Sequence, residues 1–421
     1  MLQGIGILVV FFVFAALMIT RRMHTILALI CMAVLIAIVG GVPAEDVLSE
    51  VINAGAMRMA TAIGAIIFGA WLGQVMTQTG ISHDIIRRAA ELGGDKPLAV
   101  SLALAIATAV LFTTLAGTGA VIMVGTIVMP IMMTAGIKPL RAAGIFLVAF
   151  AVGIVINLAN LQTYADIAGI ELGIITQFAL IQLVISAVIG LIFVVLESRG
   201  VETAWAAVDE EEAREELEEI EQVPLYAILT PFIPLVLVLV FDWPVIPAFV
   251  VGIIYGVVTA RLGESLRILT SAAFDALDDA AHAVLLLIGI GMVLMAVFHP
   301  TVEGVMRELL GELVPTSPII YILFFALLAP LSLYRGPLNM WGLGSGLLAV
   351  IIGAEILPPQ AAIAAFMSTE RVQSAGDPTN SQNAWTAGFA EIDVNQLSWV
   401  TVPPLWVMAV VSAIVAGILY M

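Results

Sequence analysis

The sequence predicts an all-helical protein that crosses a membrane many times. Of its 421 residues, 62% are hydrophobic and only 11% are charged, and the mean hydropathy is +1.12. A soluble domain needs more polar side chains to cover its surface, so soluble enzymes and disordered chains are excluded. The apolar runs are continuous over about twenty residues, the length of a membrane-spanning helix and not of a barrel strand. The formal net charge of −17 argues against nucleic acid as a partner.

The first half of the chain contains six apolar runs. We interpret the fourth run as a re-entrant hairpin, because the distribution of basic residues requires it to enter and leave the membrane on one side, and the fifth as a helix interrupted by polar residues. The runs cover about Leu2–Thr20, Thr25–Val42, Ala60–Met76, Leu98–Met133, Arg141–Ile174 and Thr176–Leu196.

A strongly acidic segment follows, and six more apolar runs come after it. Residues Asp209 to Glu221 include nine acidic residues and one arginine, a composition typical of a solvated linker. We therefore predict a linker over residues 201–223. The later runs cover about Pro224–Val240, Val245–Ala260, His282–Phe298, Pro318–Ile352, Pro359–Ile392 and Leu397–Tyr420.

The two sets of runs match at an offset of 220 residues, which predicts an internal repeat. Polar identities occur inside segments that are otherwise apolar, where chance matches are least expected. They pair Arg87 with Arg307, Asn160 with Asn380, Gln162 with Gln382 and Glu171 with Glu391. We predict two homologous halves, residues 1–200 and 224–421; the alternative is two unrelated bundles of similar hydropathy.

Basic residues predict the orientation. If the N-terminus is extracytoplasmic, eleven of the fifteen lysines and arginines face the cytoplasm of a multi-pass protein of the inner (plasma) membrane. This bias requires five crossings and one re-entrant hairpin in each half. An odd number of crossings inverts the second half relative to the first, so hairpin one enters from the cytoplasm and hairpin two from outside. The acidic linker is then cytoplasmic.

Each predicted hairpin has a polar or flexible tip at membrane depth, where such residues are costly and indicate function. Hairpin one contains Thr113, Thr114, Gly117 and Thr118, and hairpin two contains Arg335 to Gly342. Freed carbonyl groups there can coordinate a cation, and freed amides can face an anion. The alternative is a pair of tight turns without a ligand.

Two further polar clusters, Asn157–Thr163 and Gly376–Asn383, lie inside long apolar segments. We predict that both unwind and leave discontinuous helices, whose ends can bind an anion and a cation. Surface loops of the same composition are the alternative.

Charged residues distinguish the second half. Arg335 offers a forked donor suited to a carboxylate, and no neighbouring acid neutralises it. Arg371 follows Glu370 directly, so it either neutralises this neighbour or a scaffold carbonyl, or it belongs to the site. Asp377 is either a sodium ligand or a proton carrier, and the sequence does not choose between these roles.

Weaker features point to no site. The four histidines lack paired ligand spacing, and Cys31 is the only cysteine, so we predict no metal centre beyond a sodium site. Asp275, Asp278 and Asp279 precede the His282 run, and we interpret them as a solvated helix face.

The motifs Thr113-Thr114-Leu115-Ala116-Gly117-Thr118-Gly119 and Gly376-Asp377-Pro378-Thr379-Asn380-Ser381, in two inverted halves, resemble the ion transporter superfamily of citrate, divalent-anion and gluconate carriers. The Ser-Asn-Thr signature of the divalent-anion sodium symporters is absent. The resemblance implies an elevator mechanism within a homodimer. A transport domain, about residues 97–175 and 317–392, would slide past a scaffold of about residues 2–80 and 224–299.

Together these patterns predict a secondary transporter, not an enzyme, that moves a small organic anion with sodium or protons. The alternative is a sodium/proton antiporter with Asp377 as the exchanging carboxylate. The predicted substrate-binding residues are Thr114, Gly117, Thr118, Asn157, Asn160, Arg335, Asn339, Thr379 and Asn380. The predicted cation-coupling residues are Thr113, Asn157, Gln162, Asp377, Ser381 and Asn383. Apart from sodium ions, no cofactor is predicted.

Overall fold

A computed structural model describes residues 2–20, 22–94, 96–199, 222–310, 317–342, 344–353 and 355–421. All regular secondary structure in these ranges is helical. Seven helical segments there are long and apolar enough to cross a membrane, and four shorter apolar helices accompany them. The all-helical membrane architecture is therefore confirmed, whereas ten crossings and two hairpins stay a prediction. The acidic linker, predicted over 201–223, lies almost wholly outside the described residues.

The first half is a continuous series of helices. Its α-helices are α1 (Leu2–Ile19), α2 (Thr25–Gly40), α3 (Ala44–Asp46), α4 (Gly55–Met57), α5 (Ala60–Gln78), α6 (Ile81–Gly93), α7 (Pro97–Phe112), α8 (Gly117–Thr134), α9 (Pro139–Gly153), α10 (Leu158–Ala168) and α11 (Leu172–Glu197). A π-helical segment, Val47–Ala54, joins α3 to α4, and a 3₁₀ turn, Ile154–Ile156, follows α9.

The second half has a similar series. Its α-helices are α12 (Phe232–Leu239), α13 (Val245–Arg261), α14 (Ser265–Phe298), α15 (Pro300–Leu310), α16 (Pro318–Leu328), α17 (Gly344–Gly353), α18 (Pro359–Gly376), α19 (Ser381–Phe389) and α20 (Val394–Tyr420). Three 3₁₀ segments, Leu225–Leu229, Leu262–Glu264 and Ala329–Arg335, lie between them.

Local sequence explains where several helices begin. Pro97, Pro139, Pro318 and Pro359 each occupy the first turn of a helix. Proline is favoured there because its missing N–H has no intrahelical partner in any case. Each of these prolines starts an element of a predicted hairpin or broken helix.

The helices are interrupted where the hairpin tips and the breaks are predicted, but the breaks are shorter than expected. Helices α7 and α8 are separated at residues 113–116, and α16 and α17 are separated by a 3₁₀ segment and a turn. The broken helices restart at Leu158 and at Ser381. The prediction that unwinding extends through Thr163 and through Asn383 is wrong, because a polar side chain in the first helical turn leaves the backbone hydrogen bonds intact.

Two long helices organise the core. Helix α14 is a single helix of 34 residues that packs along α2 and α5, and it extends well before the predicted start at His282. Helix α18 packs against α20, and every residue from Ala361 to Gly376 is buried. The end of α18 and the middle of α14 both contribute walls to one cavity.

Candidate functional site

A cavity of about 250 Å³ lies between the two halves of the chain. It is bounded by both hairpin tips, the middle of α14, the end of α18 and the beginnings of α10 and α19. The side chains with polar groups that line it are Thr118, Asn157, Asn160, Asp279, His282, Arg335, Trp341, Glu370, Gln373, Ser374, Asn380, Ser381 and Gln382.

Three helices begin at this cavity, namely α8, α10 and α19. A helix N-terminus carries unpaired N–H groups and a partial positive charge, so it attracts anions. Neither α8 nor α19 has a side-chain cap on these groups, whereas the Asn157 side chain caps α10. The hydroxyl groups of Thr118 and Ser381 lie 2.8 Å apart and join the starts of α8 and α19.

Arg335 is the cationic group of the cavity. Its guanidinium donates one hydrogen bond, to the Trp341 carbonyl oxygen at 3.3 Å. In the part of the chain that the structure describes, no carboxylate forms an ion pair with it. Both Tyr334 and Arg335 have a φ of +56°, so the backbone at this tip is held in a conformation that non-glycine residues rarely adopt. Because the guanidinium makes this one hydrogen bond and no ion pair within the described residues, most of its donors stay available to a ligand.

The helix break at Asn157 is tied to hairpin one. The Asn157 side-chain amide donates to the carbonyl oxygens of Phe112 and Leu115, at 3.2 and 3.1 Å. These carbonyls have lost their helical partners where α7 ends. An amide satisfies them, whereas a carboxylate could not donate.

The corresponding break in the second half also forms hydrogen bonds to its hairpin, but here the residue at the break accepts them. Asp377 is fully buried and accepts from the backbone N–H of Arg335 at 3.1 Å and from the Asn339 amide at 3.4 Å. It also accepts from the N–H and hydroxyl of Thr379, at 2.8 and 2.7 Å. Because this tip presents donors, the residue at the break is an acceptor. The asymmetry between Asn157 and Asp377 thus follows from the backbone that each one satisfies.

Glu370 connects several parts of the cavity wall. Its buried carboxylate accepts from Asn160 at 3.2 Å, Trp341 at 3.4 Å, Tyr164 at 2.9 Å and Arg371 at 2.8 Å. Four donors, of which Arg371 carries a full positive charge, compensate the burial of this carboxylate. Glu370 therefore fixes the positions of Asn160 and Trp341, which both line the cavity.

Arg371 is structural. It is 1% exposed, it pairs with Glu370, and it donates to the Ala151 carbonyl oxygen at 2.9 Å. The interpretation that Arg371 neutralises Glu370 and a backbone carbonyl is confirmed. It does not line the cavity.

Asp279 and His282 enter the cavity from α14, one helical turn apart. The Gln74 side chain on α5 donates to Asp279 at 2.7 Å, and the His282 ring lies 5.4 Å from the His24 ring. The interpretation of the three aspartates as a solvated face is wrong for Asp279. Helix α14 continues through both positions, so Asp279 and His282, three residues apart, reach the cavity, whereas Asp275 and Asp278 stay exposed.

The predicted site residues divide into two groups. Gly117, Thr118, Asn157, Asn160, Arg335, Asn380 and Ser381 line the cavity. Thr113, Thr114, Gln162, Asn339, Asp377, Thr379 and Asn383 do not line it, and they bond instead to nearby backbone or side-chain groups. The predicted site residues did not include seven further polar residues that line the cavity, namely Asp279, His282, Trp341, Glu370, Gln373, Ser374 and Gln382. Among the described residues, no group of three or more His, Cys, Asp or Glu side chains could hold a metal.

Comparison with known proteins identifies relatives of this fold. The model of the GntP family of permeases matches residues 2–251. No functionally curated protein matches the sequence. Among solved structures, the YdaH transporter of Alcanivorax borkumensis is similar, with 15% identity over 90% of this chain and 89% of that chain and a TM-score of 0.59. MtrF of Neisseria gonorrhoeae, described within a class of antimetabolite efflux pumps, has 13% identity over 95% and 94% of the chains and a TM-score of 0.66. At these identities the likeness shows a shared fold.

Proposed function

The chain belongs to the GntP family of permeases, and from this premise we propose that it is a secondary transporter of a small organic anion, driven by a sodium or proton gradient. The family establishes a membrane transporter. A citrate-type carrier is not specifically supported, and the anion and the coupling ion are part of the proposal.

The observation that carries the proposal is Arg335 in a cavity where three helices begin. A guanidinium with free donors and the positive ends of α8, α10 and α19 all favour a negatively charged group at one place. A carboxylate there would satisfy donors that are otherwise unpaired. Apolar side chains of Ile66, Phe150 and Leu286 also line the cavity, and a less polar surrounding strengthens this attraction.

The two-fold inverted repeat is supported by corresponding helix starts. Helices α2 and α13 begin at Thr25 and Val245, and α9 and α18 begin at Pro139 and Pro359, both pairs 220 residues apart. The non-helical residues that end the breaks, Asn157 and Asp377, have the same separation. We propose that residues 1–200 and 224–421 are inverted repeats.

We also propose an elevator mechanism in which hairpins and broken helices move together. The bond between Thr118 and Ser381 and the bond between Asn160 and Glu370 support such a unit, because each joins elements of different halves. The remaining spans would form a fixed scaffold and the interface of a homodimer.

The antiporter alternative receives no support from the site. Asp377, its exchanging carboxylate, accepts four hydrogen bonds and does not line the cavity. A carboxylate so fully engaged by donors in the protein has little room for a sodium ion.

Uptake in proteoliposomes tests the proposed function. Purified protein should concentrate at least one of radiolabelled gluconate, succinate and citrate when a sodium or a pH gradient is imposed. Protein-free liposomes and vesicles with the gradient collapsed by an ionophore are the controls. Exchange of sodium for protons with no movement of any anion would favour the antiporter.

Cysteine labelling tests the predicted orientation. In a Cys31→Ala background, Leu92→Cys should react with an impermeant maleimide only from the cytoplasmic side, and Phe241→Cys only from outside. Both positions are exposed, at 86% and 62%, so reactivity depends on the side of the membrane. Labelling of both from one side would contradict the topology.

A further inference from the structure

Asp279 lies where α14 meets both the cavity and hairpin one. It lines the cavity from the middle of α14. The Gln74 amide on α5 donates to its Oδ2 atom at 2.7 Å and fixes the orientation of the carboxylate. A negative charge at this place repels an anionic substrate, so Asp279 opposes the attraction that Arg335 exerts in the same cavity.

Two glycines at the start of α8 allow this helix to approach the Asp279 carboxylate closely. A Cβ atom at Gly119 would lie 2.6 Å from Asp279 Oδ1, and one at Gly117 would lie 3.4 Å from the Asp279 Cβ atom. The residue before α8 is Ala116, which cannot cap the helix. The glycines thus bring the Asp279 carboxylate against a helix N-terminus whose N–H groups have no side-chain partner, an arrangement that stabilises a negative charge.

Few other charges face Asp279. Its own helix contributes Asp275, which accepts a hydrogen bond from Gln78, and also Asp278 and His282. The residue before α2 contributes His24, and the tip of hairpin two contributes Arg335. Helix α18 contributes Glu370, which Arg371 neutralises, and the sequences of α5, α8 and α19 contain no charged residue. Arg335 and Asp279 are therefore the two opposite charges of the cavity that are not paired with another ion.

We propose that Asp279 competes with the anionic substrate for the start of α8, so that hairpin one is tied to α14 until an anion enters the cavity. This inference rests on the proposed function. A substrate carboxylate that approaches Arg335 and the start of α8 is repelled by Asp279, and it also replaces Asp279 as the anion next to that helix. Binding of the substrate thereby weakens the contact between hairpin one and α14.

The competition has a reciprocal consequence. Protonation of Asp279 removes both the repulsion and the contact with α8, so it favours anion binding, and anion binding favours protonation by the same factor. Anion affinity should rise as the pH falls through the range where Asp279 gains a proton. Since the repulsion scales with the charge of the ligand, a dianion should be affected more than a monoanion.

The test measures equilibrium binding of gluconate and of succinate to purified protein between pH 5 and pH 8. The variants are Asp279→Asn, which has the shape of the aspartate without its charge, and Asp278→Asn as a matched control on an exposed position of the same helix. We expect Asp279→Asn to bind the anions roughly 5- to 150-fold more tightly at pH 8, the usual range of coupling between sites. The gain should be larger for succinate at pH 8, and the pH dependence of gluconate binding should be weaker than in the wild type.

Asp278 is exposed and does not line the cavity, so the control variant should change anion affinity far less than Asp279→Asn does. A second variant, Gly119→Ala, should shift affinity in the same direction, because the new methyl group displaces the Asp279 carboxylate. Equal or weaker anion binding by a folded Asp279→Asn protein, or unchanged pH dependence, would overturn the inference. Absence of anion binding by every protein, the wild type included, would instead contradict the proposed function.

Discussion

Replacement of Arg335 by glutamine should reduce anion uptake by about 100-fold or more. Loss of one partner of a buried, hydrogen-bonded charge pair typically costs about 2–5 kcal/mol, and roughly 1.4 kcal/mol corresponds to a tenfold change. The Arg335 side chain donates one hydrogen bond within the described residues, so the loss should fall on the ligand and not on the fold. Initial uptake rates in proteoliposomes, normalised to incorporated protein, measure the effect.

Two further substitutions make this result specific. Arg267→Gln removes an exposed arginine that pairs with Glu264, far from the cavity, and it should transport as the wild type does. Arg335→Lys keeps the positive charge but loses the two parallel donors of the guanidinium, so it should retain intermediate activity. Wild-type uptake by Arg335→Gln would remove Arg335 from the site.

Replacement of Arg371 by methionine should produce the largest loss of stability. The substitution leaves the Glu370 carboxylate, which is 2% exposed, without a compensating charge. Breaking a buried ion pair in this way typically costs about 3–5 kcal/mol. The apparent melting temperature of the detergent-solubilised protein should therefore fall by several degrees.

The partner substitution separates charge from packing. Addition of Glu370→Gln to Arg371→Met removes the uncompensated charge, so the double variant should be more stable than Arg371→Met alone. Glu370→Gln alone should also be destabilised, because it leaves the guanidinium unpaired. An Arg371→Met protein as stable as the wild type would contradict a structural role for the pair.

The elements of this fold could largely be predicted from local sequence. Apolar runs of membrane length locate the spans, and proline or glycine within them locates the hairpin tips and breaks. The extent of the breaks could not be predicted, because residues such as Gln382 and Asn383 are compatible with a helix whose polar side chains bond to carbonyl oxygens of α18. A polar residue inside an apolar segment therefore indicates where a break lies, but it does not show how many residues are non-helical.

The site was partly predictable for a related reason. Arg335 and the first residues of the restarted helices were identified because charge and broken backbone are both costly in lipid. The sequence did not show in which direction each polar side chain points. Asp377 and Asn339 face the backbone of hairpin two, whereas Glu370, interpreted only as a partner of Arg371, faces the cavity. Asp279 was missed because its neighbours, Gln74 and Gly119, are distant in sequence and are brought to it by the packing of α14 against α5 and α8.

The most direct test of an anion site at Arg335 is ligand-dependent thermal stability. A ligand that binds only the native state raises the apparent stability by an amount that grows with the logarithm of its concentration relative to its Kd. The melting temperature of the wild type should rise with the concentration of at least one member of a panel of organic anions, and Arg335→Gln should show no such rise. Equal stabilisation of both proteins, or stabilisation by neutral analogues alone, would contradict the account.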